Sequence, residues 1–179
     1  MKHDKIKYKL SRNALIMFVG INPHPGSYVR TVPFSNNKMF WYILARSGVI
    51  NESEEDLKDD IKLKEIYENK LVQAYNVNFI NLVDRPTRGV SEIERGEERP
   101  GLARFISAVK RYRPKLICFV GKITYQKFTG LKRTSYGFKP DIEGIPAYVS
   151  RFPIRGKASV RIREMKMLLS KAKSISLQK

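Results

Sequence analysis

Two patterns of apolar residues alternate along this chain. One is the short continuous run: Leu15–Ile21 (LIMFVGI), Val77–Val83 (VNFINLV), Lys115–Val120 (KLICFV) and Pro146–Phe152 (PAYVSRF). Runs of this length, the first closed by Gly and Asn-Pro and the third stopped by Gly121, predict buried strands. The other pattern is helical spacing. Asn36 or Asn37 can cap a helix through Ser47, with Phe40, Ile43 and Leu44 on one face and Gly48 as its stop. Glu52–Val72 is charged, with a helical period that assigns Leu57, Ile61, Leu63, Ile66 and Leu71 to buried positions. Gly101–Tyr112, Ile123–Phe128 and a basic Ala158–Ala172 complete the predicted helices.

Strands alternating with helices imply a mostly parallel sheet covered on both faces, a three-layer α/β/α sandwich. About four strands are expected, a usual number for a sheet. The chain reads as one domain over residues 1–179, with 1–13 as a basic N-terminal arm. In such sheets ligands bind at the carboxyl ends of the strands. Three loops leave those ends, Asn22–Asn36, Asp84–Pro100 and Pro153–Lys157, so a site built from them is expected before any motif is considered.

Composition adds a partner. Thirty-five Lys and Arg against 17 Asp and Glu give a net charge of +18. That excess suits a polyanion, because Lys and Arg on phosphates release condensed counterions. No apolar run approaches the roughly 18 residues of a membrane span, and MKHDKIKYKLSRN lacks the apolar stretch of a signal peptide. The single Cys118 excludes a disulfide framework and a cysteine-built metal site. A cytoplasmic, nucleoid-associated monomer is therefore expected, using no metal and no organic cofactor.

The chemistry centres on the stretch LIMFVGINPHPGSYVRTVPF, Leu15–Phe34. Asn before Pro is by itself a common turn former. GINP lacks the spacing of a dinucleotide or Walker phosphate loop. Cys118 lies mid-strand without a His partner, and two His are too few for a His-rich metal site. What remains at the loop is an amide, a Phe, hydroxyls and backbone N–H groups, which suit a planar polar ring and an ordered water.

Three segments in order, FVGINP with the following PFSNNKMFW, then NLVDRPT (Asn81–Thr87), then KLICFVGKITYQKF, resemble the mismatch-specific uracil/thymine DNA glycosylases. These form the Mug/TDG branch of the uracil-DNA glycosylase superfamily. The resemblance implies excision of uracil from double-stranded DNA, especially opposite guanine, with thymine as a further candidate base. The target base is flipped out of the stack into a pocket. Asn22 would position the attacking water and Phe34 would stack on the base. Backbone N–H groups near Ile21 and Phe34 would read its carbonyls, and Ser27 would stand nearby. Asp84 reads as structural, pairing with Arg85 or capping its loop. Lys122, after a strand and at a helix start, is placed to touch a phosphate, and Arg85 is counted with the DNA-binding residues.

The chain departs from the family in two places. The loop that enters the minor groove is here RFPIRGKAS, Arg151–Ser159, so the filler of the vacated stack falls within Ile154-Arg155-Gly156-Lys157. Arg155 is the candidate plug and Ile154 the alternative, since both side-chain types fill such gaps. His24-Pro25-Gly26 also replaces a smaller loop, which reshapes the pocket. The rival readings are excision of another deaminated base such as hypoxanthine, and a non-catalytic nucleic-acid-binding module. A nucleotide-processing enzyme would need an acid cluster, and EEDLKDD (Glu54–Asp60) reads instead as a solvated helix face.

Overall fold

The computed structural model describes residues 6–177; the first five residues of the expected basic arm lie outside it. Five strands, β1 (Ile16–Gly20), β2 (Val77–Asn81), β3 (Leu116–Val120), β4 (Gly137–Ile142) and β5 (Ile145–Ser150), form one sheet in the order β2-β1-β3-β5-β4. All neighbours are parallel except β4 and β5. Among the described residues seven α-helices accompany them: α1 (Pro25–Arg30), α2 (Met39–Arg46), α3 (Glu54–Lys58), α4 (Asp60–Glu65), α5 (Arg99–Tyr112), α6 (Lys122–Thr129) and α7 (Ala158–Leu177).

β1 shows why the sandwich has three layers. Its side chains alternate between two cores, Ile16 and Phe18 on one face, Met17 and Val19 on the other, and all four are fully buried. The first core gathers Phe18, Phe40, Trp41, Phe79, Leu44 and Leu168 from β1, β2, α2 and α7. The second joins Val19, Ile80, Phe105, Ile117, Phe119 and Tyr125 beneath α5 and α6. Rings meet edge to face across the first core, Phe18 with Phe40 at 5.2 Å and with Phe79 at 5.7 Å. Truncating such a ring costs about 3–5 kcal/mol. α5 also needs Gly101 there, since a Cβ would stand 1.5 Å from the Leu82 carbonyl oxygen.

The sheet has one more strand than expected. β4 reads GFKPDI, and its Gly, Pro and Asp hide it from a propensity argument. It survives as an antiparallel edge, where Pro140 can lack a ladder donor. Glu143 (φ 52°) and Gly144 (φ 72°) form the two-residue left-handed turn joining it to β5.

The predicted helix Glu52–Val72 is three pieces, α3, α4 and a π-helical turn over Ile66–Lys70. Asp59 breaks it: its carboxylate accepts the amides of Ile61 and Lys62 and starts α4 anew. The restart turns Ile61 outward, 75% exposed, where helical spacing had assigned it to the core. α2 is entered through Lys38 in the left-handed region; Asn37 contributes by accepting the Met39 amide at 3.1 Å. α1 sits inside the loop Asn22–Asn36. His24 Nδ1 accepts the Gly26 amide at its start, Pro25 opens it, and Thr31 ends it.

Candidate active site

Strand order reverses between β1 and β3, and beyond the carboxyl ends there lies a cavity of about 360 Å³. Its walls come from four segments: Gly20–His24 with Ser27 of α1, Phe34 with Asn36, Asn37 and Phe40, Thr87–Val90, and Val120 with Phe152–Ile154. The size lies in the range of small-molecule pockets, about 300–1,000 Å³. Asn22, Ile21, Phe34 and Ser27 thus meet at one place, as does Ile154.

Asn22 is held by its nitrogen. Nδ2 donates to Thr87 Oγ1 at 2.8 Å, with the carbonyls of Pro23 (3.1 Å) and Arg85 (3.3 Å) also within reach. Thr87 Oγ1 spends its own proton on the Gly89 carbonyl at 2.8 Å, so it can only accept from Asn22. That settles which way the amide faces. The acceptor Oδ1 receives no hydrogen bond among the described residues. A carbonyl oxygen left over in this way can accept a proton from water. Thr87, 4% exposed, was legible as part of NLVDRPT but not as the partner of Asn22, because the pairing is made across the fold.

Phe34 is placed just as firmly. It has φ 57°, a left-handed conformation costly for a bulky residue. Three features hold it there. Trp41 Nε1 donates to the Pro33 carbonyl at 2.9 Å, Phe40 packs on the ring at 4.6 Å, and Phe79 meets it edge on at 5.5 Å. Gly20 makes room: a Cβ there would stand 2.8 Å from the Phe34 ring and 2.2 Å from Asn81 Oδ1.

Asn81 lies behind the cavity wall and is not one of its lining residues. It ends β2 level with Gly20, is 1% exposed, and its Oδ1 has no partner among the described residues. A buried amide oxygen left unpaired is costly unless something supplies a proton. This oxygen lies against Gly20 and Phe34, two lining residues of the cavity. Tyr8, whose hydroxyl neighbours the Asn81 amide, keeps its proton because burial and then Asp84 push its pKa up. The sequence carried a signal in the polar residue closing an apolar strand, but that alone does not separate a site from a turn.

The predicted DNA-facing residues divide. Arg155, Gly156 and Lys157 stand exposed on the loop after β5, beside Ile154, which is 52% exposed. This loop is pinned at both ends by buried charges of α7. At the start, Glu164 accepts the Arg151 amide and guanidinium, each at 3.1 Å, and the Tyr148 hydroxyl at 3.0 Å. At the end, Arg161, 6% exposed, donates to the carbonyls of Arg155 and Gly156. Lys122 sits at the start of α6, its ammonium 4.4 Å from the Tyr136 ring centre. Arg85 is turned away from the cavity, into Glu97 at 2.7 Å and the Glu92 carbonyl. Asp84 pairs with Arg104 at 2.8 Å, not with Arg85 as expected, because Arg104 of α5 also grips the Asn81 carbonyl and draws the carboxylate inward.

Cys118 is fully buried and its thiol is pushed up to about 12 by burial, which leaves it inert. Among the described residues no His, Cys, Asp and Glu cluster could hold a metal ion, and no helix is long and apolar enough to cross a membrane.

Fold and pocket together define a three-layer α/β protein class with a cavity at the strand ends, an amide acceptor and an aromatic ring in its wall. The model of the uracil DNA glycosylase superfamily matches residues 8–168, and the chain belongs to that superfamily. DNA glycosylase chemistry, base-excision repair and DNA binding follow from that membership in general terms.

Proposed function

We propose that this protein is a monofunctional glycosylase that removes uracil from double-stranded DNA, with a guanine opposite, in the manner of the mismatch-specific uracil/thymine branch. The observation that carries the reading is the Asn22 amide, whose nitrogen is spent on Thr87 and loop carbonyls while its oxygen is unpaired among the described residues, in a residue that lines the same cavity as Phe34. A water that donates to Oδ1 is oriented with a lone pair toward the sugar carbon of a base lying on Phe34. The C1′–N bond breaks toward an oxocarbenium-like sugar and the base leaves as its anion; water adds at C1′, and the proton it loses goes to the departed base anion, leaving free uracil and an abasic sugar hydroxyl. Positioning and anion stabilisation carry such a reaction, so a strong base is unnecessary. Asn81 Oδ1, a buried acceptor, complements the N3–H of uracil, and satisfying it favours an imide over a base lacking that proton.

On the rim, Arg155 or Ile154 fills the gap in the stack, Gly156 and Lys157 follow the backbone, and Lys122 meets a phosphate. Arg85, committed to Glu97, is left out of this role. A monomer acting on chromosomal DNA meets these needs.

The test uses end-labelled duplexes with G·U, A·U, G·T or G·hypoxanthine, and single-stranded uracil, with alkali to cut abasic sites. Abasic product from G·U, absent with Asn22→Ala, is expected. Product from hypoxanthine alone would reassign the base, and product surviving in Asn22→Ala would move the water-positioning role elsewhere.

A further inference from the structure

We propose that Lys122, Tyr136 and Arg151 form a site for one backbone phosphate of the DNA strand passing the pocket, with Tyr136 holding the two cations in place. The inference rests on reading the cavity as a pocket for a base still attached to DNA.

Three elements bring these side chains together: Lys122 starts α6, Tyr136 precedes β4, and Arg151 follows β5. Lys122 Nζ lies 4.4 Å and Arg151 Cζ 5.0 Å from the centre of the same ring. Two like charges converging on one exposed aromatic repel one another, and the ring quadrupole offsets only part of that. Lys122 has no carboxylate partner among the described residues. Of the Arg151 guanidinium nitrogens only Nη1 is hydrogen-bonded among the described residues, to Glu164, and the side chain is 40% exposed. The remaining guanidinium donors and the ammonium are what a phosphate takes.

The location fits a strand entering the pocket. Arg151 directly precedes Phe152, Pro153 and Ile154 of the cavity wall, and Lys122 follows Gly121, where a Cβ would lie 3.4 Å from the Phe152 ring. Glu164 holds Arg151 from behind through both its amide and its guanidinium, so this cation is aimed before DNA arrives.

The experiment is a methylphosphonate scan. Duplexes with one uracil and one neutral linkage, moved position by position, are titrated with Asn22→Ala, which holds uncleaved substrate. The scan is repeated with Lys122→Ala, Arg151→Ala, Tyr136→Leu or Tyr136→Phe added, each checked for folding by thermal melting. Neutralising one phosphate next to the uracil should weaken binding about tenfold, the scale of one charge-assisted bond. The same neutralisation should cost less in Lys122→Ala or in Arg151→Ala, and nothing further when both are replaced. Tyr136→Phe should behave as its parent, and Tyr136→Leu should lose most of the effect. The slope of log K against log salt should become shallower by about one when both cations are removed. A scan in which no phosphate is coupled to these residues overturns the site, as does equal loss in Tyr136→Phe and Tyr136→Leu. Wild-type excision of the unmodified duplex runs in parallel. Excision without a coupled phosphate sinks the clamp alone, while a coupled phosphate without excision sinks the base reading and leaves the clamp standing.

Discussion

Asn22 and Phe34 are set in a wall of packed rings and backbone, whereas Arg151–Lys157 stands off the fold on two side-chain anchors. In the wall, each group is determined several times over: Thr87 orients the amide, and Trp41, Phe40 and Gly20 hold a strained Phe34. On the loop, Ile154 to Lys157 are exposed, and only Glu164 and Arg161 fix where the chain leaves and returns. Under the function proposed above, the difference suits two tasks. Reacting atoms need placement to a fraction of an ångström before substrate arrives, while a surface meeting DNA of varied sequence gains from side chains that adapt within a fixed loop path.

The comparison can be broken first at Asn22. Asn22→Ala should lower the single-turnover excision rate about 10³-fold, comparable with losing one preorganised polar contact of a transition state, without a shift in melting temperature beyond a few degrees. Equal loss of binding and rate would instead make Asn22 a binding residue. Thr87→Val, nearly the same shape, should cost about tenfold in the same assay, since the amide then loses the acceptor that sets its direction. On the other side, Glu164→Ala strands the Tyr148 hydroxyl and frees Arg151; because the guanidinium is 40% exposed and can hydrate, the loss should be about 1–3 kcal/mol in denaturant melts. Glu164→Gln, which keeps an acceptor, should recover part of that. Arg155→Ala should reduce excision from duplex several-fold and leave single-stranded uracil untouched, because only a duplex has a gap to fill. The smallest effect belongs to Cys118. Its folded pKa of about 12 lies above the ordinary thiol value, so at pH 8 the thiolate fraction is about 10⁻⁴ and a thiol reagent should label the native protein negligibly. Rapid labelling at pH 8 would show that the core opens.

The parts of the fold legible beforehand were those where pattern and burial agree. β1, β2, β3 and β5 are apolar runs, and each was placed from composition within a few residues. β4 was not, because an edge strand is half wet and is held by its neighbour and a left-handed Glu-Gly turn, not by apolar side chains. The helix over Glu52–Val72 kept its period on paper, yet Asp59 restarted it, since a capping carboxylate acts within one turn and is invisible to an average over many. At the site, Asn22, Ile21, Phe34 and Ser27 were marked by one ordered motif and do line one cavity. Thr87 and Asn81 stand in the NLVDRPT motif without an assigned role and Lys122 is read as a phosphate contact, but their partners, with Tyr136 and Arg151, were not legible. Arg85 illustrates the converse: a motif Arg beside the site turns to Glu97, twelve residues along the chain.

By itself the sequence determined that an alternating α/β chain with one buried thiol and a charge of +18 would put a GINP turn at the end of a buried strand and attract a polyanion. Those properties follow from local periodicity and composition, which need no partner elsewhere in the chain. Only the tertiary structure decided which oxygen of the pocket stays unpaired, which arginine faces out, and that Lys122 and Arg151 share a ring. Each of those depends on which distant atom spends a hydrogen bond or a charge first, and that competition is resolved only when β1, β2, β3 and β5 bring their carboxyl ends together.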